Sequence, residues 1–262
     1  MRPTIAMALV MLAATAAPSA PSPEQSSVTH FIKGYLSAPV PSDSILLSPA
    51  PPEPGSPAEA RDVDAANSAV RLRGTARWAL AARDADLSTP TMAEAFSCAA
   101  GRDIGPQSTP AVNKLLRNTL TDLGLSTSVI KRRYQRPRPF MINHQPTCTP
   151  SMESVLRRDG SYPSGHSAIG YGWGLILAEL FPGRANALVA RGRAFGDSRR
   201  VCNVHWLSDV EEGRIAASTV VARLHADAEF RTDMDSARTE LARSRAAPPK
   251  HDCVTETAML AQ

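Results

Sequence analysis

Three blocks in the second half of the chain hold residue types that could carry a phosphoryl group through transfer. They are Lys131-x6-Arg138-Pro139, Pro163-Ser164-Gly165-His166 and Ser198-Arg199-x5-His205-x3-Asp209. Together they supply three cations, a glycine-opened turn with free backbone donors, and two histidines, one of them with a carboxylate four residues on. A phosphoryl group in transfer needs this set: positive charge on its equatorial oxygens, a nucleophile on one side and a proton donor on the other.

Each block also has a plainer reading. The run Lys131, Arg132, Arg133, Arg136, Arg138 resembles many solvated basic faces. What distinguishes it is Pro137 and Pro139, which bracket Arg138 and give its guanidinium a set direction. A directed guanidinium can grip two phosphate oxygens at once. Ser164 by itself is an ordinary helix cap. Gly165 beside it would let the backbone approach an anion, and His166 in the first turn would reach that anion. Ser164 sits in no G-x-S-x-G elbow, so a serine-hydrolase reading fails. His205 and Asp209 are one turn apart if the chain is helical there. The carboxylate can then take the Nδ1 proton and leave Nε2 free as a nucleophile or base.

The elements that must position these residues read as helices. Residues 58–84 are Ala-rich and helical in pattern, with an interruption near Gly74, and Thr91–Ala99 is a short helical candidate. Thr109-Pro110 reads as an N-cap with proline at the first helical position, followed by Leu115, Leu116, Leu120 and Leu123. Gly124 should end that helix and Ser126 cap the next, which runs towards Lys131. Ser164 should begin another, with Ile169, Trp173, Ile176, Leu177 and Leu180 on one stripe and Pro182-Gly183 as the stop. Further helices are expected at about 184–197 and 206–225, and an amphipathic one to about Arg243. Strand-type alternation is nearly absent. The expected fold is all-α, a compact single-domain helical bundle spanning 58–243, with a Pro/Ser/Ala-rich arm over 21–57 before it and a polar tail over 244–262 after it.

The 262 residues carry a net charge of only +4, and all but four of the cations are arginines scattered among acids. No basic stripe of the kind that tracks nucleic acid is present. Residues 1–20 read as a cleavable export signal: Arg2, an apolar run from Ile5 to Ala17, and small residues at Ala14 and Ala16. That run is short for spanning a bilayer, as is Ala168–Leu180, which carries Glu179. No membrane insertion is expected after cleavage, and the destination is periplasmic or secreted. Four cysteines, Cys98, Cys148, Cys202 and Cys253, suit an oxidising compartment, and their spacing is too wide for zinc. Four cysteines allow three pairings. Cys98–Cys148 with Cys202–Cys253 is preferred here because it staples the nearer segments.

All eleven specified positions of the three blocks match, in order, the signature of the type 2 phosphatidic acid phosphatase superfamily. Within it the chain resembles the bacterial class A non-specific acid phosphatases. The run Gly160-Ser-Tyr-Pro-Ser-Gly-His166 is similar to theirs, and the likeness extends from Leu72 to about residue 243. Ser167 stands where that family often has Thr, which keeps the hydroxyl. The resemblance implies that His205 attacks phosphorus to form a phosphohistidine and that Asp209 orients it. It implies that His166 protonates the leaving oxygen and then activates water. Lys131, Arg138 and Arg199, with Ser164 and the Gly165 N–H, would hold the equatorial oxygens. The implied substrates are small phosphate monoesters, with no metal and no cofactor, and a homo-oligomer is in keeping with the family. Two rivals use the same residues differently: a vanadium-dependent haloperoxidase, with vanadate in the phosphate position, and an exported phosphate-binding module without turnover. Binding alone would not require two histidines and a His–Asp pair.

Overall fold

The computed structural model describes residues 33–36, 46–87 and 92–262. The expected leader and much of the arm after it lie outside these residues. Among the described residues there is no strand, and the fold is all-α.

Helix α1 (Pro57–Val70) starts at Ser56, whose hydroxyl accepts from the Glu59 N–H. Helix α2 (Ala76–Asp84) starts at Thr75, which accepts from Trp78. Gly74 between them adopts φ +76°, a left-handed conformation that side chains resist, and this is the physical content of the break expected there. A 3₁₀ turn (Met92–Phe96) leads into the single turn α3 (Ser97–Ala100). Helix α4 (Pro110–Leu125) runs through Gly124 instead of ending at it, and α5 (Ser128–Tyr134) follows Thr127 with no side-chain cap. Gly124 lies against Ile169, so tertiary packing carries the helix past it. Ser126 turns its hydroxyl back to the Leu123 carbonyl and so is not the expected cap of α5. Two short helices, α6 (Pro139–Asn143) and α7 (Glu153–Leu156), precede the long ones.

Helix α8 (Gly165–Leu180) is the axis of the molecule's core. It packs most extensively on α9 (Ala185–Val201), then on α10 (Leu207–Leu224) and α4; α11 (Ala228–Arg243) closes over α4. Trp173, Ile176 and Leu177 of α8 are fully buried against Leu115, Leu116, Phe96 and Phe195. The Trp173 indole N–H is not stranded there: it donates to the Leu116 carbonyl at 3.1 Å. The α8–α9 contact is close because glycine faces backbone. A Cβ at Gly174 would stand 2.9 Å from the Leu188 carbonyl oxygen, and one at Gly192 would run into the Gly170 carbonyl. That approach brings the first turn of α8, with His166, beside the last turn of α9, with Arg199.

The disulfide pairing expected from spacing is wrong. Cys98 is bonded to Cys253 and Cys148 to Cys202. Proximity in sequence failed as a guide because the chain doubles back after α11. Asp103 donates its N–H to the Ala247 carbonyl, and Lys250 pairs with Asp103 and Glu94. The end of the stretch read as a polar tail then forms α12 (Cys253–Leu260), which packs on α2 and sets Glu256 against Arg191.

Candidate active site

The three blocks converge. Lys131 comes from the last turn of α5 and Arg138 from the residue that precedes α6. His166 comes from the first turn of α8, Arg199 from the last turn of α9, and His205 from the connection into α10. Arg138, Arg199, His205 and Asp209 are each at most 3% exposed.

His205 is not on a helix. Helix α9 ends at Val201, Asn203 takes the left-handed conformation (φ 61°), and α10 begins only at Leu207. The expected one-face, four-residue pairing is therefore made across a helix start. Asp209, in the first turn of α10, turns back so that Oδ2 accepts from the Trp206 N–H at 2.8 Å and meets His205 Nδ1 at 3.2 Å. A cap and a histidine-orienting contact share one carboxylate oxygen. On the other side of the ring, Arg138 Nη1 lies 3.0 Å from His205 Nε2. A guanidinium can only donate, so Nε2 presents its lone pair and the hydrogen sits on Nδ1.

Burial drives the His205 pKa well below 6.5, with Arg138, Lys131 and Arg199 adding to the effect, so the ring is neutral. His166 keeps part of its surface open, yet burial again comes first, and Arg199 second, in holding it well below 6.5. Its Nε2 lies 3.0 Å from the Ala85 carbonyl just past α2, an acceptor only, so this nitrogen carries a hydrogen.

The cations differ in how they are held. Arg138 is saturated: Nε donates to the Leu156 and Asp159 carbonyls, Nη1 to the Val204 carbonyl and His205, and Nη2 to the Asp159 carboxylate and the Gly160 carbonyl. Lys131 donates to the same Asp159 carboxylate at 3.0 Å and to the Gly160 carbonyl. Burial and the neighbouring Arg138 push Lys131 down to about 8, with Asp159 pulling the other way. Arg199 is lowered to about 9 by burial and by Arg138, and its buried Nε and Nη1 have no hydrogen-bond partner among the described residues. Two buried guanidinium nitrogens without partners are costly unless an anion is meant to meet them.

Ser164 and Gly165 form the mouth of α8. The Ser164 hydroxyl oxygen accepts from the Ser167 N–H at 3.2 Å, and its own N–H donates to the Asp209 carbonyl, so the block is tied to α10. A Cβ at Gly165 would meet its nearest protein atoms at an ordinary 3.5 Å. Protein packing alone does not demand glycine there.

Several site residues had no sequence signal of their own. Arg136 reaches Asp209 Oδ1 at 2.7 Å through Nη1 and Asp62 Oδ2 at 2.7 Å through Nη2, while Asp62 also takes the Ser208 N–H and hydroxyl. This locks the start of α10 to α1. Burial raises the Asp209 carboxyl, against the pull of Arg136 and the Trp206 N–H. Asp84 accepts from the Ser198 hydroxyl at 2.6 Å and so anchors the residue beside Arg199 to α2. Nothing marks Asp62, Asp84 or Asp159 in the sequence beyond acidity, because the partners they serve lie far along the chain.

Among the described residues no three His, Cys, Asp or Glu side chains are grouped as metal ligands, and no helix is long and apolar enough to cross a membrane. Residues 114–233 match the model of the PAP2 superfamily. The chain is 42% identical over 226 residues to an acid phosphatase of Zymomonas mobilis subsp. mobilis, a match covering 85% of this chain and 81% of that protein. It is 41% identical over 202 residues to a non-specific acid phosphatase of Providencia stuartii, covering 77% and 82%. A non-specific acid phosphatase of Salmonella typhimurium is 41% identical over 194 residues, covering 73% and 78%.

Proposed function

We propose, from the premise that the chain belongs to the PAP2 superfamily as one of its acid phosphatases, that it is an exported enzyme which hydrolyses phosphate monoesters through a phosphohistidine on His205. The observation that carries this reading is the His205 ring. Asp209 holds Nδ1, and Nε2 offers a lone pair among Lys131, Arg138 and Arg199.

In the first step Nε2 attacks phosphorus as the bond to the ester oxygen breaks. The ring becomes a phosphorylated imidazolium that keeps its Nδ1 hydrogen, and the Asp209 carboxylate stabilises that charge. The ester oxygen leaves with a proton from His166. Because Nε2–H of His166 is given to the Ala85 carbonyl, the proton that moves sits on Nδ1. In the second step His166 takes a proton from water, whose oxygen attacks phosphorus and returns His205 to its neutral form. His166 must be protonated to begin the cycle, although burial and Arg199 oppose this without substrate. The negative phosphate reverses that balance, which favours turnover on the acid side of neutrality.

Lys131, Arg138 and Arg199, with the Ser164 hydroxyl and the Gly165 N–H, neutralise the equatorial oxygens. With three cations in that role, activity should persist in chelator. Two disulfides support an oxidising destination, periplasmic or secreted. We expect His205→Ala to lower turnover of p-nitrophenyl phosphate by at least about three orders of magnitude. Rapid acid-free quenching with labelled substrate should trap phosphate on His205 of the wild type. Robust hydrolysis by a folded His205→Ala protein would sink the assignment.

A further inference from the structure

Arg138 has five N–H hydrogens, and the protein occupies all five. For Arg138 to hold a phosphate oxygen, an acceptor must let go. The Leu156, Asp159, Val204 and Gly160 carbonyls belong to backbone and do not retreat cheaply. His205 Nε2 releases Arg138 Nη1 only when its lone pair turns to phosphorus during attack. The acceptor that can swing away beforehand, as substrate binds, is the Asp159 carboxylate, whose side chain is 51% exposed while that of Arg138 is 1% exposed. Asp159 Oδ2 lies 3.1 Å from Arg138 Nη2 and 3.0 Å from Lys131 Nζ. A single carboxylate oxygen thus bridges two of the cations assigned to phosphate, as a phosphate oxygen would.

We infer that Asp159 is a built-in substitute for the substrate's phosphate, displaced when substrate binds, and that its charge makes the site prefer singly over doubly ionised phosphate. This deepens the proposed function and rests on its reading of the site. Two buried cations side by side repel, and a counter-charge stabilises them in the free protein. Once phosphate takes over, Asp159 remains within a few ångströms of it on a surface-accessible turn. Its repulsion of a dianion is about twice its repulsion of a monoanion, since the energy scales with charge. An orienting role for Asp159 would have the opposite consequence: losing it would loosen Lys131 and Arg138 and weaken phosphate.

The charged groups facing Asp159 are Lys131 from α5 and Arg138 before α6; His205, His166, Arg199 and Asp209 lie behind these cations. His205, His166, Arg199 and Asp209 are common to wild type and variants, whereas Lys131 loses the upward pull of Asp159 in the variants and falls below about 8. A ratio of the two at each pH cancels the common groups, and loss of the Lys131 charge would weaken phosphate as pH rises, opposite to the gain expected from removing the carboxylate.

The test is inhibition of p-nitrophenyl phosphate hydrolysis by inorganic phosphate, supported by direct phosphate titration calorimetry, on wild type, Asp159→Asn and Asp159→Ala. Asn keeps the shape and an acceptor oxygen; Ala removes the contact. Both variants should bind phosphate roughly two- to fivefold more tightly, the effect of one screened charge. The gain should grow from about pH 5 to about pH 7 as phosphate takes its second charge. KM should fall while kcat changes less. Weaker or unchanged phosphate binding in both variants, or a gain that is flat with pH, overturns the inference. A wild type that binds no phosphate at all would instead remove the reading of the site beneath it.

Discussion

Helix α9 carries two buried arginines eight residues apart, Arg191 and Arg199, each 3% exposed, and their surroundings are opposite. Arg191 donates to both oxygens of Asp84, at 3.2 and 2.6 Å, and to the Ala95 carbonyl, and it pairs with Glu256. Burial alone would lower its pKa, but Asp84 and Glu256 carry it above the ordinary value. Arg199, two turns on, has among the described residues no ion pair with a carboxylate and two unpartnered nitrogens, and its pKa is brought down to about 9. One end of the helix uses its buried cation to join α2, α9 and α12. The other end keeps its buried cation short of partners, beside two more cations and a neutral histidine. On α9 the fully paired arginine serves the fold, whereas the one left short of partners points to a ligand.

Substituting each arginine by methionine should separate the two roles. Arg191→Met leaves Asp84 and Glu256 without their shared partner and should cost about 3–5 kcal/mol of stability, read by denaturant melts. Arg199→Met removes a charge that the empty protein does not use. It should leave stability unchanged or improved while kcat/KM falls roughly 10²- to 10³-fold, as when a transition-state donor is removed. A large stability loss in Arg199→Met with near-normal activity would break the contrast.

Much of this was legible in the sequence, for identifiable reasons. The motif residues announce themselves because phosphate chemistry restricts which side chains can serve, and the long helices because their apolar residues recur at helical spacing. Arg191 and Arg199 look alike in the sequence, since what separates them is Asp84, more than a hundred residues earlier, and Glu256, near the end of the chain. The His205–Asp209 contact was legible as a pair, with a shared helix face expected only if the chain is helical there: the spacing in fact spans a capped start, and the cap depends on Trp206 offering its N–H. Arg136 was visible only as one member of a basic run, because its partner Asp62 sits on α1. The disulfides were misassigned for the same reason. Which cysteines meet is decided by how α12 returns across α2, and loop length along the chain carries no record of that.

The two disulfides extend the comparison at a smaller scale. Cys98–Cys253 ties α12 to α3 at the Arg191 end, across a sequence separation of 155. Cys148–Cys202 pins the turn that leads into His205, across a separation of 54. Replacing Cys98 and Cys253 by serine should cost about 2–4 kcal/mol of stability with kcat little changed. Replacing Cys148 and Cys202 should cost less stability by the loop-closure argument but also lower kcat, because the backbone that carries His205 is released. Equal effects on kcat from the two pairs would deny that the ends of the core do different work.

The smallest expected effect concerns protons. His166 and His205 both have folded pKa values below 6.5, whereas in the unfolded chain they titrate near 6.5. As pH falls through that value the unfolded chain takes up protons that the folded protein refuses, so folded stability is lost on the acid side. The loss should be at most about 1 kcal/mol per histidine one pH unit below 6.5. Phosphate should change this selectively. By meeting Arg199 and the neighbouring cations it supplies the negative charge that lets His166 hold a proton, and by binding only the folded state it adds stability of its own. Melting temperatures at about pH 5.5 and pH 7, with and without phosphate, should therefore converge when phosphate is present and separate when it is absent. An acid-side loss that phosphate leaves untouched would place its origin elsewhere than in the two histidines, and with it the claim that this end of the core is completed by an anion.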